Sequence, residues 1–248
     1  MIYENERLDE VNDALSLIQR TDGLTFGTDA LLLAGYVATH GAVGAELGGG
    51  SGIISMLLLT RGKLSRVTSY EVQEYYASLI ERNAEYNKLS DILHAVQADV
   101  RDLRATEVCD VVFTNPPYMK ANAGKNNERD EKAIARHELC GTIADFCRAA
   151  RKLLKYGGAF YAVYRPDRLT DLIAAMREEG LEPKRMTFVH ADTESEASMV
   201  LVEAKRGGKS GMHLTPPLII YKDASHKEYS DDMKYIMENG SFPKGYKR

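Results

Sequence analysis

The chain has 248 residues, of which 44% are hydrophobic and 27% are charged. This composition is typical of a globular protein and excludes an extensively disordered chain. The formal net charge of −4 argues against non-specific nucleic-acid binding as the default, although a local basic face remains compatible with it. No apolar run reaches the roughly 18 residues that span a bilayer, and residues 1–6 are too polar and acidic for a signal peptide.

The three cysteines, Cys109, Cys140 and Cys147, are an odd number without the spacing of a metal site. This pattern argues against a disulfide scaffold and against zinc. We therefore expect a cytoplasmic protein that binds neither a metal nor a membrane.

The first forty residues predict a helical cap. Apolar residues recur at helical spacing over 6–20, which predicts a first helix. These residues are Leu8, Val11, Leu15 and Ile18. Thr28 and Asp29 can cap a second helix that continues through residues 30–33.

Strand and helix patterns alternate after residue 42. Strands are predicted at 43–47, 67–72, 92–97, 108–113, 159–164, 186–190 and 198–203. Helices are predicted at 53–61, 73–87, 142–154 and 167–179, the third opened by a Thr142–Asp145 capping box and ended by Gly157-Gly158. Such alternation predicts an α/β fold with a mostly parallel sheet and helices on both faces. The last two strands are separated only by 191–197, too short for a parallel crossover, so the final strand should be antiparallel.

A glycine-rich loop follows the first predicted strand, in the segment Glu46-Leu-Gly-Gly-Gly-Ser-Gly52. Gly48, Gly50 and Gly52 allow a sharp turn and a close approach of a ligand to the backbone. Ile53 stands where a dinucleotide-binding loop needs its third glycine, and the lysine of a phosphate-binding P-loop is missing. The pattern resembles motif I of the class I S-adenosylmethionine-dependent methyltransferases. That resemblance implies a Rossmann-like seven-stranded sheet and S-adenosylmethionine as cofactor, with Glu46 and the three glycines binding it.

Two acids follow in the expected order. Glu71 ends the second strand, where a carboxylate can accept both ribose hydroxyls. Asp99 comes just after the third strand, where the methyltransferase fold places an acceptor for the adenine amino group. With these acids, the neighbouring Val72 and Val100 are predicted to line the cofactor.

The segment Asn115-Pro116-Pro117-Tyr118 follows the fourth strand. Two prolines make a rigid turn, and the motif resembles the signature of methyltransferases acting on planar exocyclic or amide nitrogens. The Asn115 oxygen and the Pro116 carbonyl can each accept an N–H of the target amine. They would thereby favour a tetrahedral nitrogen whose lone pair points at the methyl group. Tyr118 offers a face for stacking by a flipped base, and Asn115 would also contact the cofactor.

Four further stretches distinguish among the families that share this motif. They are 26–33, 135–138, 154–169 (with a gap at 159–164) and 216–221. With the core motifs they resemble the bacterial tRNA1(Val) adenine N6-methyltransferases, over roughly residues 6–222. The resemblance implies methylation of the adenine 3′ of the anticodon, with Phe26, Gly27, Thr28 and Asp29 closing over the cofactor from the N-terminal side.

A net-acidic protein that binds tRNA needs local basic groups. The long polar segment 119–141 is predicted to hold the substrate, through Lys120, Arg136 and His137. Further candidate patches are 205–209, 244–248 and the basic residues of the helix 142–154, namely Arg148, Arg151, Lys152 and Lys155.

We expect one domain over 1–248, divided into the helical cap (1–41), a catalytic core (42–222) and a polar C-terminal tail (223–248). A monomer is favoured. Two alternatives stay open at the level of sequence. One is a glutamine N5 or rRNA amino-methyltransferase, although a glutamine enzyme usually carries a larger N-terminal helical domain. The other is a cofactor-binding subunit without catalysis of its own. A nicotinamide dehydrogenase is excluded by Ile53 and by the Asn-Pro-Pro-Tyr segment.

Overall fold

The computed structural model of the chain describes residues 2–22, 26–116 and 141–247. Its strands are β1 (Glu6–Asn12), β2 (Leu15–Arg20), β3 (Ala42–Leu47), β4 (Leu64–Glu71), β5 (Leu93–Gln97), β6 (Cys109–Thr114), β7 (Leu154–Tyr164), β8 (Leu181–His190), β9 (Ala197–Arg206), β10 (His213–Leu214) and β11 (Leu218–Ile219). Its helices are α1 (Thr28–Tyr36), α2 (Ile53–Thr60), α3 (Glu74–Tyr86), α4 (Ile143–Leu153), α5 (Leu169–Glu178) and α6 (Asp231–Asn239).

The main sheet has nine strands in the order β10-β8-β9-β7-β6-β3-β4-β5, with β11 also paired to β8. All neighbours from β7 to β5 are parallel, whereas β9 runs antiparallel to both β7 and β8. The seven predicted strands and the late antiparallel strand are therefore confirmed. The two-residue strands β10 and β11 extend the sheet and were not predicted.

The sheet is covered on both faces because its strands alternate between two cores. In β6, Val111 and Phe113 point to one core, and Val112 points to the other. The first core contains the buried faces of α1, α2, α3 and α6, and the second contains those of α4 and α5. Strands buried on both faces are the expected product of this layering.

The predicted helix over 6–20 is wrong, because this segment forms the antiparallel hairpin β1–β2. Asn12 makes the turn, since its side-chain oxygen accepts the Ala14 N–H at 2.9 Å, a local bond that competes with helix. Leu8 is exposed, whereas Leu15 and Ile18 are buried, so the four apolar residues do not share one helical face. The N–H and carbonyl groups of Ser16 and Ile18 in β2 are instead bonded by the side chains of two asparagines at the end of α3, as described below.

The predicted helix end at Gly157-Gly158 is also displaced. The helix ends at Leu153, and the strand begins at once, so both glycines lie inside β7. Gly157 has a φ of +80°, and the register with β6 shifts across this segment. A left-handed glycine at such a shift is the usual construction of a β-bulge.

The segment 223–248, predicted to be a polar tail, contributes a helix and four buried side chains to the first core. It contains α6, and Met233, Ile236, Phe242 and Tyr246 are buried in the first core. Phe242 packs edge-on against Tyr36 of α1, at a ring-centroid distance of 5.3 Å. The apolar pair at 233 and 236, spaced as on one helical face, was the signal of this helix in the sequence.

No helix in the described ranges is long and apolar enough to cross a membrane.

Candidate active site

The candidate site lies at the carboxyl edge of the parallel strands. β3 runs into the glycine loop, β4 ends at Glu71, β5 ends two residues before Asp99, and β6 ends just before Asn115. Because these strands are parallel neighbours, their carboxyl ends meet at one edge of the sheet. This is where ligands bind in open α/β sheets, and the topology brings the separate sequence motifs together there.

Left-handed glycines shape the loop between β3 and α2. Gly48, Gly50 and Gly52 have φ values of +74°, +55° and +81°, a region that strongly favours glycine. A Cβ added at Gly49 would collide with the Ser69 hydroxyl and with Ile80, so the loop lies directly on β4 and α3. A Cβ at Gly50 would meet nothing within 4 Å. The backbone at Gly50 is therefore open to an approaching ligand.

Glu71 is tied to this loop. Its carboxylate accepts the N–H of Gly50 at 3.0 Å through one oxygen and the N–H of Gln73 at 2.9 Å through the other. The side chain is buried, and it lies at the predicted place at the end of β4. Each carboxylate oxygen can accept more than one hydrogen bond, so Glu71 can hold the loop and still accept a hydroxyl of a ligand. Val72 follows it and is half-buried.

Glu46 lies under the loop and is almost completely buried, with 1% exposure. Its carboxyl accepts the hydroxyls of Ser55 at 2.5 Å and Ser69 at 3.1 Å. Burial raises the pKa of Glu46 to about 8, because the charged form loses its hydration. The geometry gives Glu46 a supporting role that links β3, β4 and α2 beneath the glycines.

Asn83 of α3 joins the N-terminal hairpin to the same loop. Its amide oxygen accepts the N–H of Ile18 at 2.7 Å, and its amide nitrogen donates to the carbonyls of Ile18 and Ser51 at 3.0 Å each. Asn87 makes the equivalent pair of bonds to Ser16. The hairpin is thus fixed against α3 through its backbone. Neither asparagine was predicted to have a role, although their i, i+4 spacing places Asn83 and the C-cap residue Asn87 on the same side of the end of α3.

Asp99 opens a short 3₁₀ turn, Val100–Asp102, and accepts the N–H of Arg101 at 2.8 Å. The Arg101 guanidinium also pairs with it at 2.5 Å. Hydrogen bonding to Arg101 holds the pKa of Asp99 below its usual value, so this acid is an anionic acceptor at neutral pH. Val100 is buried in the second core.

Asn115 is half-buried, and its side-chain nitrogen donates to Asp29 of α1 at 2.7 Å. This contact spans 86 positions of the sequence and places the start of α1 against the end of β6. The N-cap of α1 is Gly27, with Thr28 as the first helical residue, so the predicted Thr28–Asp29 cap is displaced by one position. Asp29 also accepts the N–H of Ala30 at 2.9 Å.

The sequence placed Asp29 in a segment expected to close over the cofactor, but its contact with Asn115 was not predicted, because the two residues lie 86 positions apart. Pro116 is buried next to Asn115. Pro117, Tyr118, Lys120, Arg136, His137 and most of the segment 119–141 lie outside the described residues.

The described residues offer neither a metal site nor a reactive cysteine. Within the described parts of the chain, no group of three or more His, Cys, Asp or Glu side chains could hold a metal ion. Cys109 and Cys147 are buried free thiols, and burial raises the pKa of each to about 12. Neither thiol is an available nucleophile, since the thiolate is the reactive form.

Comparison with known proteins shows that a family model described as the methyltransferase small domain matches residues 20–175. A tRNA1(Val) (adenine(37)-N6)-methyltransferase from Porphyromonas gingivalis is 27% identical over 188 residues, which cover 71% of this chain and 72% of that protein. A protein of the same name from Pedobacter heparinus is 23% identical over 217 residues, covering 87% and 90%.

Solved structures resemble the chain in fold. A structure described as a predicted O-methyltransferase from Agrobacterium tumefaciens has a TM-score of 0.69 at 24% identity, covering 87% of this chain and 98% of the other. M. jannaschii TYW2, solved in complex with AdoMet, has a TM-score of 0.58 at 15% identity, covering 83% and 87%. At these identities the likeness establishes the Rossmann-like architecture.

Proposed function

The chain belongs to the methyltransferase small domain family, and on that premise we propose that it transfers a methyl group from S-adenosylmethionine to N6 of an adenine in tRNA. The observation that carries this proposal is the juxtaposition of Asn115, at the end of β6, with the open glycine loop at the end of β3. The relatives from P. gingivalis and P. heparinus, named for adenine 37 of tRNA1(Val), support the same base and the same RNA.

The described residues fit S-adenosylmethionine. The open backbone at Gly50 admits a close ligand, and Glu71 beside it supplies acceptors for the ribose hydroxyls. Asp99, held ionised by Arg101, lies one strand further along the edge and would accept from the adenine amino group. Gly48, Gly52, Val72 and Val100 would line the remaining contacts. The site therefore offers a carboxylate for each polar end of the nucleoside.

S-adenosylmethionine supplies an electrophilic methyl group on a positively charged sulfur. The exocyclic nitrogen of adenine is a poor nucleophile, since its lone pair is delocalised into the ring. Acceptors that hold both of its N–H groups would draw the nitrogen toward a tetrahedral geometry. We assign these roles to the side-chain oxygen of Asn115 and the main-chain carbonyl of Pro116. The methyl group would be transferred to this nitrogen with the electron pair of the broken S–C bond left on sulfur, and the alkylated nitrogen, which is acidic, would lose its proton to water.

Asp29 would set which end of the Asn115 amide faces the substrate. A carboxylate is an acceptor only, so it selects the nitrogen of the amide as its partner. The oxygen is thereby directed to the other side of the amide, where the mechanism needs an acceptor. Gly27 and Thr28 approach the same edge through α1, whose first turn contains Asp29.

The RNA contacts are proposed to come from the segment 119–141, with Lys120, Arg136 and His137, and Tyr118 would stack on the flipped adenine. Several other cations considered for this role are already ion-paired. Arg148 contacts Asp145 and Glu179, Lys155 contacts Asp110, and Arg206 contacts Glu107. A phosphate that binds any of these cations has to compete with the carboxylate partner. A cytoplasmic location and a monomeric state remain predictions.

The test uses the purified protein, methyl-labelled S-adenosylmethionine and tRNA that lacks the modification. The RNA is digested, and labelled nucleosides are identified by mass spectrometry. We expect label in N6-methyladenosine, and we expect Asn115→Ala to abolish it while cofactor affinity falls only modestly. Label that persists in Asn115→Ala would refute the mechanism. A wild-type protein that binds the cofactor but leaves tRNA unlabelled would contradict the proposed substrate, and release factors and ribosomal subunits would then be assayed.

A further inference from the structure

A cavity of about 520 Å³ lies at the opposite edge of the sheet from the candidate active site. Its walls come from the end of α1 and the loop before β3, from the turn before β4, from β8 and from the segment after α6. The six-residue strand β3 separates the two edges, a length of roughly 17 Å. The cavity is therefore too far from Asn115 to take part in methyl transfer.

The lining of this cavity is cationic. Arg61, Lys63, Arg185 and Lys247 all contribute, together with His40, and no Asp or Glu stands among the described lining residues. Arg185 is neutralised by Glu203 at 2.9 Å. Arg61 and Lys247 form no ion pair within the described ranges, and Arg61 makes only a long bond to the Gly240 carbonyl, at 3.5 Å. Two cations thus face the same space without a counter-charge.

Lys63 adds a buried donor to the wall. Only 7% of the residue is exposed, and its ammonium donates to the carbonyls of Ala34 and Gly35 at 2.7 and 2.9 Å. An ammonium group has three N–H donors, so one remains after these two bonds. Burial, together with the positive charges of Arg61, Lys247 and Arg185, lowers the pKa of Lys63 to about 7. A bound anion would offset that repulsion.

We propose that this cavity binds a phosphate-bearing ligand, held by Arg61, Lys247 and the remaining donor of Lys63. A guanidinium fork with two ammonium groups matches the oxygens of a phosphate group. The volume exceeds that of one phosphate group, and Asn239 and Ser241 provide polar contacts for the rest of a ligand. The phosphate could belong to the RNA backbone or to a free phosphorylated molecule, and the chemistry of recognition is the same.

The test measures pyrophosphate binding to the full chain by isothermal titration calorimetry at constant ionic strength. We expect Arg61→Gln/Lys247→Gln to bind at least tenfold more weakly, since two charged contacts are lost. Arg66→Gln is the matched control, because Arg66 is an exposed arginine of β4 that does not line the cavity. Lys247→Gln is also measured alone, because this position is exposed and the single variant should fold even if the double variant does not. Circular dichroism is used to check that both variants are folded.

A second arm distinguishes the source of the phosphate through tRNA affinity measured as a function of salt. If RNA occupies the cavity, the double variant lowers tRNA affinity, and the slope of log K against log salt falls by about one per lost phosphate contact. If a free ligand occupies it, tRNA affinity is unchanged and pyrophosphate binds alongside tRNA. The proposal is overturned if neither pyrophosphate nor tRNA affinity differs between the double variant and Arg66→Gln. Neither measurement requires turnover, so failure of the methylation proposal would be recognised separately.

Discussion

Replacing Asp29 by alanine should slow catalysis without removing any group that touches the substrate. The carboxylate fixes the Asn115 amide through a 2.7 Å hydrogen bond, and bonds of this charged kind contribute about 1.5–3 kcal/mol. Without it, the amide can turn its nitrogen toward the target amine, which removes an acceptor from the transition state. At about 1.4 kcal/mol per factor of ten, we expect kcat to fall roughly 10- to 100-fold, with little change in the KM for tRNA.

The assay compares single-turnover methylation by the wild type, Asp29→Ala, Asp29→Asn, Asn115→Ala and Asp29→Ala/Asn115→Ala. Asp29→Asn keeps a carbonyl acceptor and should recover most of the rate. Because Asp29 also bonds to the Ala30 N–H near the start of α1, thermal unfolding is measured for each variant to separate stability from orientation. In the Asn115→Ala background, loss of Asp29 should have no further effect on any residual rate. An equal loss in both backgrounds, or no loss in the single variant, would refute the positioning role.

Three other predictions concern the loop and the hairpin. Gly50→Ala should cost only about 1 kcal/mol of folding free energy, since the Cβ meets nothing and only the left-handed φ is strained. The same substitution should weaken cofactor binding at least tenfold when the affinity is measured by calorimetry. An unchanged affinity would contradict a close approach of the cofactor to Gly50. The folded-state pKa of Glu46, about 8, lies above its unfolded value, so the free energy of unfolding should fall as pH rises from about 4.5 to 8. Glu46→Gln should remove this pH dependence of the free energy of unfolding, as measured in denaturant titrations. An unchanged pH dependence in the variant would argue against Glu46 as its source. Arg82→Gln breaks an ion pair with the buried Glu6, whose pKa is lowered to about 2. The variant should lose about 3 kcal/mol of unfolding free energy at pH 7, and this loss should shrink as pH falls from 4.5 toward 2. A loss that is the same at every pH would count against the ion pair as its source.

The two segments whose structure differs from the prediction, 6–20 and 223–248, are both held by residues far away in the sequence. The segment 6–20 has helical spacing of apolar residues, yet it forms a hairpin because Asn83 of α3 and Asn87, which follows the helix, satisfy the backbone of β2. The partner lies more than sixty positions away, so a local pattern contains no trace of it. The segment 223–248 is polar on average, but Phe242 and Tyr246 are buried in the first core. Phe242 packs against Tyr36 of α1, and the Tyr246 carbonyl accepts a hydrogen bond from Arg185 at 3.0 Å.

The candidate active site also has features that the sequence predicted and features that it did not. The glycine loop and the positions of Glu71 and Asp99 were predictable, because each depends on where a strand ends and on what conformation a residue type allows. The supporting role of Glu46 was not, since only the packed structure shows that its carboxyl accepts the hydroxyls of Ser55 and Ser69. The roles of Pro117 and Tyr118 remain predictions from the motif.

The sequence alone determined the order of strands and helices between residues 42 and 206, the antiparallel strand of the main sheet and the edge of the sheet that holds the candidate active site. Those features follow from short-range periodicity, glycine and proline geometry and connection lengths, all of which are local. Tertiary structure alone decided that Asp29 meets Asn115, that asparagines anchor the hairpin and that Arg61, Lys63 and Lys247 surround one cavity. Contacts between residues far apart in the chain depend on how the layers pack, and packing is decided by the whole chain at once.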